Sequence, residues 1–220
     1  MPESDRHDVV AIGASAGGLD CLTSIAAQLS PDLQAAVFVV LHLSPGAPSA
    51  LPEILSRSGP LPAEHPRDGE AIQPGRIYVA PPDHHLVLEP GRVLLGRGPR
   101  ENRVRPAVDV LFRSAAASYG PRVIGVVASG YLDDGAAGLL AIKRHGGVAV
   151  VQDPADAQCP AMPQAALDAV DVDHVVPLRE LGHLINRLVR APPASDGRRA
   201  SPHTRADVES SRTEIPEPIR

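Results

Sequence analysis

Short apolar strands alternating with amphipathic helices along this 220-residue sequence predict an α/β fold. The expected form is a doubly wound, mostly parallel sheet with helices on both faces and an antiparallel hairpin at one edge. Three observations carry this. Runs such as VVAIG, AVFVVL and VIGVV are continuous and β-branched, as strands buried on both faces are. Longer stretches between them place apolar residues at three- and four-residue spacing, the period of a helix with one buried stripe. A Pro-Gly pair at 90–91 separates two short apolar runs, which reads as a hairpin.

In chain order, DVVAIG is a buried strand and LDCLTSIAAQL a helix, followed by the strand AAVFVVL and the helix APSALPEILSRS. RIYVAP opens a middle section, and HLVLE and RVLLG flank the Pro-Gly turn. AVDVLFRSAAASYG is a helix ended by Gly120, a residue suited to the left-handed position past a C-terminus. RVIGVVAS, GAAGLLAIKRHG and GVAVVQ continue as strand, helix, strand, and PQAALDAV, HVVP and RELGHLINRLV as helix, strand, helix.

Composition bounds the rest. Hydrophobic residues make up 43% and charged residues 21%, enough to build a core. Aromatics are only 2%, so that core must come from Ala, Val, Leu and Ile. A formal net charge of -5 gives no electrostatic reason to expect nucleic acid as a partner. No apolar run approaches the length of about eighteen residues that would insert in a membrane. The opening MPESDRHD lacks the layout of a signal peptide. Cys21 and Cys159 have neither disulfide-framework nor metal-knuckle spacing, which fits a reducing, cytoplasmic setting. From Ala191 onward Pro, Ser, Arg and acidic residues dominate, so residues 191–220 are expected to be a disordered tail and 1–7 a loose lead. Residues 8–190 are then the folded unit.

The stretch GASAGG, between the first strand and first helix, sits where a dinucleotide fingerprint would. That fingerprint needs a third-position glycine, and here the residue is Ser15; no Lys-Ser/Thr follows for a phosphate loop. The same letters fit G-x-S-x-G through Gly13, Ser15 and Gly17, a strained turn that lifts a serine hydroxyl clear of the backbone. A helix-capping role for the serine is the plain alternative. The second strand ends at His42, and the strand VIGVVAS leads to Asp133 and Asp134 before a helix. A Ser, a His and an Asp thus follow predicted strands at one sheet edge, where open α/β sheets form their sites. Histidine can take the serine proton and a carboxylate can orient the imidazole, so the pattern points to acyl transfer. The order Ser, His, Asp is not that of the α/β-hydrolase fold. Asp83, His84 and His85 invite a metal reading, but adjacent ligands on extended chain point apart, and no second pair is evident. Asp109 reads as a structural or helix-dipole residue, and His145 and His174 as surface residues.

Taken together, IGASAGG, LHLSP, IYVAPPDHHL, ENRVRPAVDVLF and SGYLDDGAAGLLAIKRHGG resemble the catalytic domain of the chemotaxis protein-glutamate methylesterase (CheB) family, in order across about residues 9–190. The resemblance implies hydrolysis of glutamate γ-methyl esters on cytoplasmic chemoreceptor helices, with glutamine deamidation in some members. It implies Ser15 as nucleophile, His42 as base and Asp134, rather than Asp133, as the orienting carboxylate. Backbone N–H groups of Ala16 and Tyr131 are the implied oxyanion donors. His84, Arg103 and Arg105 are candidate substrate contacts. Neither cofactor nor metal is implied. Ala16, Tyr131 and Ala107 stand where Thr, Met and Ser are common in the family. Many members carry an N-terminal receiver domain; this sequence is expected to lack one, with a separate receiver protein as a candidate partner. The alternative is a non-catalytic module that binds receptors or signalling proteins through the same cleft, with Tyr131 narrowing it.

Overall fold

The computed structural model describes residues 6–42, 46 and 49–191. The expected disordered segments lie almost wholly outside these; of the lead, Arg6 is exposed and His7 is buried. The chain runs β1 (Val9–Ala14), α1 (Gly18–Gln28), β2 (Ala36–Leu41), α2 (Leu51–Ser58), β3 (Ala63–Glu64), β4 (Glu70–Ala71), β5 (Ile77–Val79), β6 (His85–Glu89) and β7 (Arg92–Gly96). It continues with α3 (Val108–Tyr119), β8 (Val123–Val127), α4 (Ala136–Arg144), β9 (Val148–Gln152), α5 (Ala161–Ala169), β10 (His174–Val176) and α6 (Leu178–Arg190).

Seven strands form one sheet in the order β10-β9-β8-β1-β2-β5-β3, and every pairing in it is parallel. β1 is central, and the winding reverses between β1 and β8, the position at whose carboxyl ends open α/β sheets form their sites. Alternate β1 residues face opposite layers because a strand has a period of two. Val10, Ile12 and Ala14 join Leu22 and Ile25 of α1, Leu55 of α2 and Leu181 of α6. Val9 and Ala11 join Phe112 of α3, Leu139 of α4 and Met162 of α5.

The expected hairpin forms as β6 and β7, but it belongs to a separate three-stranded antiparallel sheet with β4. The edge of the main sheet is taken instead by β3, a two-residue strand too short for an apolar pattern to announce. The hairpin is anchored to α3: Leu88 N–H donates to Ser114 Oγ at 3.1 Å, and Ser118 Oγ donates to Leu88 O at 2.9 Å.

Gly13 shows how tightly the site's frame is packed. A Cβ there would lie 2.2 Å from Cγ1 of Val108, the first residue of α3. The Gly13→Ala variant is therefore expected to lose about 1–3 kcal/mol of stability through overpacking. Urea denaturation measures this directly, and an unchanged midpoint would mean that α3 is not seated against β1 as described.

Candidate active site

The parallel register explains why Ser15 and His42 meet. Gly13 pairs with Val40 and Ala14 with Leu41, so one step further sets Ser15 beside His42. His42 N–H still donates to Ala14 O at 3.3 Å, and on the other flank Ser15 N–H donates to Ser129 O at 2.9 Å. The serine turn is thus pinned between the extensions of β2 and β8. Gly17, at φ 72, completes the turn and caps α1 without any side-chain hydrogen bond. Ser15 does not cap its helix; its hydroxyl donates to His42 Nδ1 at 3.0 Å.

The other ring nitrogen, Nε2, donates to Asp134 Oδ2 at 2.7 Å. An ionised carboxylate only accepts, so it selects the Nε2–H tautomer and leaves Nδ1 as the acceptor for the serine proton. His42 keeps 15% side-chain exposure and Asp134 2%, so the imidazole reaches solvent while the carboxylate is buried behind it. Asp134 accepts three further hydrogen bonds. Val108 N–H reaches Oδ2 at 2.7 Å, and Asp109 N–H and Asn102 Nδ2 reach Oδ1 at 3.1 and 2.7 Å. Burial pushes its pKa up, but the bonds from His42, Val108, Asn102 and Asp109 outweigh that and hold it below the ordinary carboxylate value.

Val108 and Asp109 are the first two residues of α3, so Asp134 occupies that helix's N-terminus. The reverse also holds. Asp109 Oδ1 accepts from Gly135 N–H at 3.0 Å and Gly138 N–H at 2.6 Å, at the N-terminus of α4. Asp134, just before α4, caps α3, and Asp109, in α3, caps α4. Burial, the largest influence, raises the Asp109 pKa, and the charge on Asp134 adds to that effect. Asp109 is thus a structural residue that caps α4.

The expected oxyanion donors belong to the residue after Ser15 and to the loop that follows β8. Neither Ala16 N–H nor Tyr131 N–H has an acceptor among the described residues. The loop before Tyr131 lies directly on the serine: a Cβ on Gly130 would sit 2.8 Å from Ser15 Cβ and 2.0 Å from Met162 Sδ. Ser129 and Gln152, which the sequence did not single out, frame this loop. Ser129 Oγ donates to Ala16 O at 2.8 Å and accepts from Cys159 N–H at 2.9 Å, while Gln152 Oε1 accepts Ser129 N–H at 3.0 Å. Tyr131 and Leu132 are 63% and 67% exposed beside the serine turn.

The Asp83-His84-His85 motif braces a loop. Asp83 Oδ1 pairs with Arg105 at 2.7 Å, and Arg97 Nε donates to His84 Nε2 at 3.0 Å. Buried His85 donates from Nε2 to Pro99 O at 2.9 Å and accepts Ala107 N–H at 3.3 Å. Among the described residues no group of three His, Cys, Asp or Glu side chains is gathered as a metal ion requires. Of the candidate substrate contacts, His84 and Arg105 are engaged within the chain, while Arg103 is exposed. Exposed Arg97 and Arg100 share this segment, which makes it a local basic edge on an acidic chain.

The chain as a whole is similar to known proteins. Residues 10–185 match the family model described as CheB methylesterase. A putative protein-glutamate methylesterase/protein-glutamine glutaminase of Leptospira interrogans is 36% identical over 184 residues, covering 83% of this chain and 95% of its own length. A protein-glutamate methylesterase/protein-glutamine glutaminase of Anaeromyxobacter dehalogenans is 38% identical over 185 residues, where the match spans 84% of this chain and 54% of the relative. The crystal structure of the Thermotoga maritima CheB methylesterase catalytic domain superposes with a TM-score of 0.79 at 32% identity, covering 83% of this chain and 98% of that one.

Proposed function

The chain belongs to the CheB methylesterase family, and on that premise we propose that it hydrolyses glutamate γ-methyl esters on the cytoplasmic helices of chemoreceptors through Ser15, His42 and Asp134. The observation that carries the mechanism is the unbroken relay from Ser15 Oγ through the imidazole to a carboxylate held by three further donors. His42 Nδ1 takes the hydroxyl proton as Ser15 Oγ adds to the ester carbonyl. The resulting oxyanion is held by Ala16 N–H and Tyr131 N–H, with the N-terminus of α1 favouring the charge. Collapse breaks the bond to the methoxy oxygen, and methanol leaves with the proton carried on His42. Water, losing its proton to the same nitrogen, then adds to the glutamyl-serine ester, and its collapse frees the glutamate carboxylate and restores Ser15. No step needs a metal or cofactor.

A glutamine side chain in the same position would release ammonia by the same route, in keeping with the double name that the relatives carry. Arg103 is proposed to meet the acidic surface that a glutamate-bearing helix presents. A separate receiver-domain protein remains the proposed regulatory partner. No described helix is long and apolar enough to cross a membrane. Cytoplasmic action follows in this proposal from where the substrate helices lie. The non-catalytic alternative rests on Tyr131, which is 63% exposed.

The test is to incubate the protein with a methyl-esterified receptor signalling fragment and with its glutamine form, measuring methanol and ammonia. Methanol release with formation of free glutamate is the expected result. Binding of several receptor fragments without release of either product, by folded protein, would replace the enzyme reading with the binding-module reading.

A further inference from the structure

The segment 101–104 has a conformation that its local sequence does not favour. Glu101 and Val104 exchange backbone hydrogen bonds at 3.2 and 2.9 Å, leaving Asn102 and Arg103 as a two-residue turn at φ 51 and 67. Both central residues of such a turn need positive φ, and glycine is the usual second residue. Arginine at that position is held there by the surroundings, and retained strain of this kind concentrates at functional sites. The turn's base is clamped by the braces from Asp83, His84 and His85 to Arg105, Arg97, Pro99 and Ala107. Its apex places one amide nitrogen between two carboxylates: Asn102 Nδ2 donates to Asp134 Oδ1 at 2.7 Å and to Asp109 Oδ2 at 2.9 Å.

We infer that Asn102 is a positioning residue for the hydrolysis, acting through Asp134 to hold His42 in line with Ser15. The inference rests on Ser15, His42 and Asp134 being the catalytic residues. Each hydrogen of the amide serves a different carboxylate, so Asn102 relieves the repulsion between two acids that have no cation between them. Asp134 then keeps Oδ2 turned to His42 Nε2 instead of rotating toward other donors. The charged and titratable groups around this bridge are His42, Asp134 and Asp109. Arg113 faces Asp109 and is itself paired with Glu101. A neutral donor is required at this point: a second acid would repel both carboxylates, and a cation would draw Asp134 away from the imidazole.

Two variants separate the side chain from the backbone. Asn102→Gly keeps the left-handed turn and removes the amide. Asn102→Asp keeps the shape and replaces the donor with a third carboxylate. Without the amide, the Asp134 charge is less dispersed and favours imidazolium, so the acid limb of the pH–rate profile moves to higher pH. For Asn102→Gly the expected result is a fall in kcat of about tenfold, as for loss of a hydrogen bond to a charged group, with KM nearly unchanged. Its acid limb should rise by about half a pH unit, and that of Asn102→Asp by about one unit or more, with a larger fall in kcat. A purely structural role would lower the melting temperature of both variants while leaving kcat and the acid limb in place, and that result overturns the inference. If one variant fails to fold, the other alone decides, since each predicts its own shift. Ser15→Ala measured alongside keeps the two levels apart. Activity surviving in it would remove the catalytic reading and this inference with it. Loss there with normal Asn102 variants would overturn this inference alone.

Discussion

Methanol release by the Ser15→Ala protein is expected to fall by about four to six orders of magnitude, the size seen when the nucleophile of a serine hydrolase is removed. The reason is what the hydroxyl touches. Ser15 Oγ has one hydrogen-bond partner among the described residues, His42 Nδ1. The backbone of the turn is held separately, by Ser15 N–H to Ser129 O and Gly18 N–H to Ser15 O at 2.8 Å. Removing the hydroxyl thus deletes the attacking atom and leaves the turn, the N-terminus of α1 and the neighbouring N–H groups in place. Stability should change by no more than about 1 kcal/mol, the net contribution of one hydrogen bond. A methanol assay together with thermal melting checks both halves. Full activity in a folded variant would mean that the G-x-S-x-G turn is architecture only.

The Asp134→Asn protein should lose about three to four orders of magnitude in kcat for a different reason, the wrong imidazole tautomer. Asp134 accepts two bonds on each oxygen. An asparagine has only one acceptor oxygen, so its amide group must face two donors whichever way it turns. Turned toward Oδ2's place, it meets His42 Nε2–H and Val108 N–H and drives the ring proton to Nδ1, where Ser15 needs an acceptor. Turned toward Oδ1's place, it meets Asn102 Nδ2 and Asp109 N–H. Either orientation buries unmatched donors, for an expected loss of about 2–4 kcal/mol measured by urea denaturation. The pH dependence of stability should change as well. The folded Asp134 pKa lies below its unfolded value, so its contribution is present above about pH 4 and is lost as pH falls through the lowered folded value. The asparagine variant should lack that acid-dependent component. Activity near the wild-type level would show that His42 is oriented by something other than Asp134.

Much of this site is legible in one dimension, because strand ends in a parallel sheet converge. Once VVAIG, AVFVVL and VIGVV are read as neighbouring strands, Ser15, His42 and the Asp133–Asp134 pair fall along one sheet edge, and the family resemblance singles out Asp134 of the two. The roles of Asp109, Asn102, Ser129 and Gln152 could not be read that way. Each acts on a partner more than two dozen positions away or on a backbone group, and hydrogen bonds to backbone leave no pattern of residue types. Asn102 is the hardest case: a two-residue turn announces itself through Asn-Gly, and here the second residue is Arg103. The Asp-His-His run misleads in the opposite direction. Its residue types suggest a ligand set, whereas the fold sends its side chains to Arg105, Arg97 and the backbone of Pro99.

The sequence by itself determined the α/β class, the alternation of elements and a Ser, a His and a pair of Asp residues at the carboxyl edge, because hydrophobic period and turn composition are local properties. Tertiary structure decided the rest. It seated the hairpin on α3 as a sheet of its own and assigned the hydrogen bonds of His42. It also set Asp134 and Asp109 to cap each other's helices with Asn102 between them. The reason is that a buried carboxylate must be matched by donors in three dimensions, and those donors come from whichever backbone and side-chain groups the packing brings within hydrogen-bond reach.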